Sequence, residues 1–278
     1  MIVDAHHHIW DPATADYPWL TDELAAIRRP FTPDDLAPEL AATGIDATVL
    51  VQTRASQAET AEFLALAAAT PFIRGVVGWV DLTDPGVSEA IATLRAGPGG
   101  GRLVGVRHQV HDEPDAEWLL REDVGRGIRA VGSAGLAYEL LLRPRELRAA
   151  LELAKRLPTV PFVIDHLAKP PIASGELEPW RTLIAPFAEL DHVACKVSGL
   201  VTEADWISWT TADLQPYVDH AIEVFGPARL LFGSDWPVCL LAATYAEVVE
   251  AALTTMSGLD VVEQAAVMGG NATRIYGL

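Results

Sequence analysis

The chain has 278 residues, with 20 Lys plus Arg against 38 Asp plus Glu, a formal charge of −18, and half of its residues are hydrophobic. That charge excludes a general nucleic-acid binder, which needs a basic footprint to neutralise phosphates. Two cysteines, Cys195 and Cys239, are too few for a disulfide scaffold and suit a reducing, cytoplasmic compartment. The opening MIVDAHHHIWD carries an acid at its fourth residue and does not read as a signal peptide, and no stretch approaches the ~20 apolar residues of a membrane span.

Short β-branched runs alternate along the chain with longer segments of helical periodicity, the pattern of βα units around a parallel sheet. The strand candidates cover 2–8, 47–52, 73–80, 103–108, 136–141, 161–166, 193–198 and 229–234. Between them Thr32-Pro33-Asp34-Asp35 reads as a helix start that runs to Gly44, and Ser56-Gln57-Ala58-Glu59 as a capping box. Further helices are expected over 85–96, 116–131, 145–157, 178–190, 213–225, 245–256 and 261–268. The glycine-rich 97–101 precedes a strand rather than following one, so it reads as a plain loop and not a phosphate cradle. Repeated βα units with no linker and no dinucleotide fingerprint predict one (β/α)8 TIM barrel spanning 1–278.

In such a barrel the chemistry belongs at the carboxyl ends of the strands. The first ends in Asp4-Ala5-His6-His7-His8; alternation points His6 and His8 together into the mouth and His7 toward the helices. The sixth ends in Asp165-His166 and the eighth in Ser234-Asp235. Three imidazoles and a carboxylate suit one divalent ion of borderline softness, Zn²⁺ in particular. The other ends supply Gln52, Arg54, Trp79, Asp81, Arg107, His108, Tyr138 and Lys196 as candidate substrate contacts, with Lys169 in a loop and Trp10, Trp79, Trp206 or Trp236 as walls. His192 and His220 read as bystanders and Cys239 as packing. Ser234 lacks the G-x-S-x-G elbow of a serine nucleophile. Arg54, Arg107, Lys169 and Lys196 together predict a locally positive mouth on an acidic protein.

The segments DAHHHIWD, GVVGWVDL, GVRHQVHDEP, VIDHLAKPPI, KVSGLVTEADW, FGSDWPVCLLAATY and GGNATRIYGL resemble the amidohydrolase superfamily along essentially the whole chain. Within it they are most similar to the family-2 sugar-lactonase branch, and there to its L-fuconolactonase subgroup. The resemblance implies metal-binding or carbonyl-polarising roles for His6, His8 and His166, and a general-base role for Asp235. It leaves the ion open, since that branch includes both metal enzymes and a type that works without metal. Arg107-His108 stands where binuclear relatives carry a bridging group, which argues against a second ion.

The expected reaction is opening of a cyclic ester to an aldonic acid, with Asp235 taking a proton from water and returning it to the leaving ring oxygen. A dicarboxylate lactone would require several converging arginines, and only Arg54 and Arg107 qualify, so a neutral sugar lactone is favoured. The alternatives are a decarboxylase or hydratase of the same superfamily acting on a small unsaturated or aromatic acid, and a non-enzymatic small-molecule binder. The partner is then a small lactone, with no nucleic acid and no membrane; a homo-oligomer is compatible with the sequence.

Overall fold

The structure, a computed structural model, describes residues 1–278. Every expected strand forms, most of them trimmed at the ends: β1 Val3–His7, β2 Ala47–Val51, β3 Ile73–Gly78, β4 Leu103–His108, β5 Ala137–Leu140, β6 Phe162–Ile164, β7 Val193–Val197 and β8 Leu230–Phe232. They pair in sequence order, each parallel to the next, and helices follow them: a (β/α)8 TIM barrel. The seam between β8 and β1 closes without a full ladder. His8 N–H donates to Trp236 O at 2.7 Å and Asp235 N–H to His6 O at 2.8 Å. The buried Asp4 carboxylate completes it, accepting from Ser234 N–H at 2.8 Å, Ser234 Oγ–H at 2.6 Å and Tyr245 O–H at 3.0 Å.

The helices are α1 Pro33–Thr43, α2 Gln57–Ala69, α3 Val87–Ala96, α4 Glu122–Ser133, α5 Leu147–Arg156, α6 Trp180–Ile184, α7 Leu200–Glu203, α8 Thr211–Phe225, α9 Tyr245–Thr255, α10 Val261–Ala265 and α11 Asn271–Tyr276. Helix α1 starts where its cap signals predict: Pro33 opens it and the Asp35 carboxylate accepts from Thr32 N–H at 2.8 Å. The helix expected over 178–190 breaks after α6 into a 3₁₀ turn, Ala185–Glu189, that contains Pro186, which has no amide to donate. The one expected over 261–268 also stops early. After α10 the backbone loosens into a π-type turn, Ala266–Gly270, in which Gly269 presses on the start of the chain; a Cβ there would lie 2.3 Å from Met1 O. The four-residue α7 was not foreseen, being too short to show a period.

Side chains alternate across each strand. The barrel interior takes small ones such as Val3, Ala5, Ala47, Ala137 and Ala194, while Phe162, Phe232 and Val193 fill the layer between sheet and helices. Truncating a ring as buried as Phe162 to Ala is expected to cost about 3–5 kcal/mol. This parity corrects one expectation. Ala137 and Glu139 turn inward on β5, so Tyr138 faces the helix layer instead of the mouth; its ring meets Phe162 and its buried hydroxyl has no partner.

Candidate active site

Strand β1 carries a register shift against β2 between Asp4 and His7, a bulge that re-aims the residues after it. His6 and His8 consequently meet, Nε2 to Nε2 at 3.1 Å, while His7 is buried apart from them with neither ring nitrogen partnered. Across the seam Asp235 Oδ1 lies 3.4 Å from His8 Nε2, 3.7 Å from His6 Nε2 and 3.9 Å from His166 Nε2. All three imidazoles have a partner on the other nitrogen, that of His6 being Lys196 Nζ at 3.1 Å. His8 Nδ1 stands 2.8 Å from Val51 O and His166 Nδ1 2.8 Å from Ser198 Oγ, so each presents Nε2 to the cluster.

The backbone under these residues is unusual. His166, Leu167, Ala168 and Lys169 all have positive φ, between 50° and 60°, as does Asp235 at 56°. For residues with a Cβ this left-handed conformation costs roughly 1–2 kcal/mol each, and such strain collects at functional sites. Two glycines make room for the rings. A Cβ on Gly233 would sit 2.6 Å from His6 Cβ, and one on Gly199, whose own φ is +63°, 2.6 Å from His166 Nδ1.

Charge in the cluster is sorted by burial and neighbours. Burial alone would push the Asp235 carboxyl up, but His166 and His8 outweigh it and hold it below its ordinary value, so it is a carboxylate at neutral pH. Burial pulls His166 down to about 4, and burial together with Lys196 keeps His6 well below 6.5, so both rings are neutral. Beneath them lies a layer of buried charge. Lys196 Nζ is 2.7 Å from Glu139 Oε1, 3.0 Å from Asp165 Oδ1 and 3.1 Å from His6 Nδ1. Arg107 donates to Asp165 Oδ2 at 3.1 Å and to Gln52 O at 2.6 Å, with Nη1 3.3 Å from His6 Nε2. Burial and the neighbouring Asp165 push Glu139 up to about 7, whereas Lys196 and His6 override burial at Asp165 and hold it well below its usual value.

These donors fit a metal ion. Four-coordinate zinc bound at 2.0–2.1 Å separates its ligand atoms by about 3.3 Å. The separations among His6, His8 and Asp235, 3.1 to 3.7 Å, bracket that spacing, with His166 Nε2 just beyond at 3.9 Å.

Above the cluster opens a cleft of about 400 Å³ with His8, His166, Asp235 and Arg107 at its floor. Its walls are chiefly the loop residues Trp19, Gln109, His111, Asp112, Arg143, Lys169 and Trp206, with Glu203 at the end of α7. Several expected substrate contacts lie elsewhere. Lys196 is fully buried below the imidazoles and does not reach the cleft, and Gln52 is buried beside Arg107. Arg54 turns to the buried Glu59 at 3.1 Å. Trp79 Nε1–H donates to His108 Nδ1 at 3.0 Å, while His108 stacks on Trp118 with ring centroids 4.4 Å apart. Asp81 accepts from Thr83 N–H at 2.9 Å in its own turn. Of the expected aromatic walls only Trp206 lines the cleft; Trp10 and Trp236 are core residues, and Trp19 stands opposite instead. The expected positive mouth is neutralised, since Arg54, Arg107, Lys169 and Lys196 each pair with an acid. Arg143 is the wall cation without an ion pair.

The sequence reading missed Asp165, Glu139 and the wall residues Trp19, Gln109, His111, Asp112 and Arg143. Asp165 and Glu139 were within reach, because strand parity turns both inward. The wall residues belong to irregular loops, which carry no period to read.

The chain matches the Amidohydrolase family over residues 3–278. It is 39% identical, over 99% of its length and 96% of the relative's, to a protein of Burkholderia multivorans named L-fucono-1,5-lactonase. A protein of the same name from Burkholderia ambifaria is also 39% identical, over 99% of this chain and 94% of the relative. A crystal structure of a Burkholderia multivorans amidohydrolase with bound zinc superposes with a TM-score of 0.95 at 38% identity, covering 100% of this chain and 99% of that one. With its barrel and this match along nearly its whole length, the chain belongs to the amidohydrolase family and is an enzyme of that family.

Proposed function

We propose that this enzyme hydrolyses the cyclic ester of a small sugar lactone, of the L-fucono-1,5-lactone type, to the aldonic acid. The observation that carries the reading is the meeting of the Asp235 carboxylate with the imidazoles of His6, His8 and His166 at the floor of a polar cleft. The relatives named L-fucono-1,5-lactonase support the choice of lactone.

Asp235 is the base: its carboxylate takes a proton from water as the water attacks the lactone carbonyl. Protonated Asp235 then delivers that proton to the ring oxygen as the acyl–oxygen bond breaks, so one water is consumed and base is regenerated. The imidazoles and the Arg107 guanidinium surround the position where the carbonyl oxygen gains charge, which is where preorganised donors lower the barrier most. His6, His8, His166 and Asp235 would hold a divalent ion, zinc by donor type, which supplies Lewis-acid polarisation of the carbonyl and a lowered water pKa when bound.

The cleft walls support a neutral, hydroxyl-rich substrate. Arg54 and Arg107 are each engaged by an acid and leave no pair of free guanidinium groups for a dicarboxylate. Gln109, Asp112, Arg143 and Glu203 offer donors and acceptors to hydroxyls, and Trp19 offers an apolar ring face. The test is acid release, followed with a pH indicator, on a panel of aldono-1,4- and 1,5-lactones. The fastest release is expected on L-fucono-1,5-lactone, and silence across the panel overturns the reading.

A further inference from the structure

We infer that His108 is a positioning residue: with Trp79 and Glu113 it forms a latch that holds the loop of residues 109–112 in place, so that Gln109, His111 and Asp112 face the substrate. The effect on substrate binding rests on the lactonase reading; the hold on the loop does not.

His108 is the last residue of β4, and strand parity turns it away from the side on which Arg107 meets the cluster. It does not line the cleft, yet its ring is engaged on both edges and one face. Trp79 Nε1–H donates to Nδ1 at 3.0 Å. An indole nitrogen only donates, so Nδ1 holds its lone pair and the ring proton is on Nε2. That N–H donates to Glu113 Oε1 at 2.7 Å, so the two contacts require the same tautomer. Trp118 stacks on the ring face, 11° from parallel.

One end of the latch is rooted in the barrel. Trp79 N–H donates to Thr60 Oγ at 2.8 Å, which ties the residue after β3 to α2. The other end closes a bracket: between His108 and Glu113 lie four residues, of which Gln109, His111 and Asp112 line the cleft while Val110 is fully buried. The backbone of this segment is a single 3₁₀ turn, Val110–Asp112, with Asp112 N–H donating to Gln109 O at 3.1 Å and Glu113 N–H to Val110 O at 3.0 Å. From the β5 side His111 N–H donates to Leu141 O at 3.2 Å, and Arg145 Nη2–H to His111 O at 3.3 Å and to Glu113 O. The His108–Glu113 bond is the side-chain contact that joins the strand end to the exit of the loop. A wall held in its binding geometry beforehand loses less freedom when substrate arrives, and so binds it more tightly.

The experiment uses the full chain and two readouts: amide hydrogen exchange over residues 109–113 by mass spectrometry, and steady-state kinetics on L-fucono-1,5-lactone. Glu113→Ala opens the latch. Exchange in that segment should quicken about tenfold with the barrel strands unchanged, and KM should rise about fivefold with kcat within about twofold. Glu113→Gln, whose amide oxygen accepts the same N–H, should bring both readouts back to within about twofold of wild type. Trp79→Phe removes only the partner of Nδ1 and should move both in the same direction by about threefold, so it decides the case if Glu113→Ala does not fold. Unchanged exchange in a folded Glu113→Ala overturns the inference. So do faster exchange with a wild-type KM, a fall in kcat that matches the rise in KM, and a Glu113→Gln variant that behaves like Glu113→Ala. If the wild type opens no lactone, the lactonase reading falls and the exchange results decide the latch by themselves.

Discussion

At the ends of β1, β6 and β8 the side chains that meet are strand-end residues whose outer atoms are already engaged: His8 by Val51 O, His166 by Ser198, and Asp235 held through its amide by His6 O. At the ends of β2, β3 and β5 the corresponding side chains turn away. Arg54 pairs with Glu59, Trp79 and His108 bond each other, and Tyr138 packs under the helices. Over that side the cleft wall comes from loops, with Gln109, His111 and Asp112 after β4 and Arg143 after β5. On the proposed reading the reactive groups are fixed by the regular lattice of the barrel, and the substrate-facing groups hang on segments that can change without disturbing it.

The contrast predicts a large loss on one side and a graded one on the other. Asp235→Asn removes the base without changing the shape of the site, and kcat on the preferred lactone should fall by roughly 10³-fold, within the range general-base catalysis supplies. A pH-indicator assay checks it, and kcat within tenfold of wild type would contradict the assigned role.

The same side should also set the acid sensitivity of the metal-free protein. His166, pulled from 6.5 to about 4, and His7, to about 3, are both lowered on folding, so the unfolded chain takes up their protons first. Stability is therefore complete above about pH 6.5 and declines as pH falls toward those folded values. Between pH 7 and 5 each should cost about 2 kcal/mol, read from urea unfolding at the two pH values. The depressed Asp235 adds its own loss only as pH falls below 3.8. A flat profile from pH 7 to 5 would mean these rings are not held neutral.

On the loop side, Arg143→Ala should raise KM about tenfold with kcat within threefold, the pattern of a lost contact that binds substrate and transition state alike. A matching fall in kcat would move Arg143 into the chemistry. The smallest effect belongs to Tyr138→Phe. Its hydroxyl is buried without a partner, so removal should leave kinetics unchanged and stability equal or slightly higher by thermal unfolding.

The barrel was legible because βα alternation is repeated and each repeat restates the period; even the misjudged ends at 178–190 and 261–268 were local failures at Pro186 and Gly269. His6, His8, His166 and Asp235 were legible because strand ends are fixed places in such a fold. Tyr138 and Lys196 went wrong for a related reason: facing the mouth requires both the right parity and the right depth, and Lys196 has the parity but sits one layer down. Gln109, His111, Asp112 and Arg143 were not legible, since nothing periodic marks the direction of a loop side chain.

The central claim is that Asp235 activates water instead of attacking the lactone itself. A single turnover in ¹⁸O-water, with enzyme in excess over L-fucono-1,5-lactone, separates the two. The account predicts one ¹⁸O atom in the carboxylate of the first product and none in the protein. Unlabelled product, with ¹⁸O appearing in the peptide that carries Asp235, would contradict it.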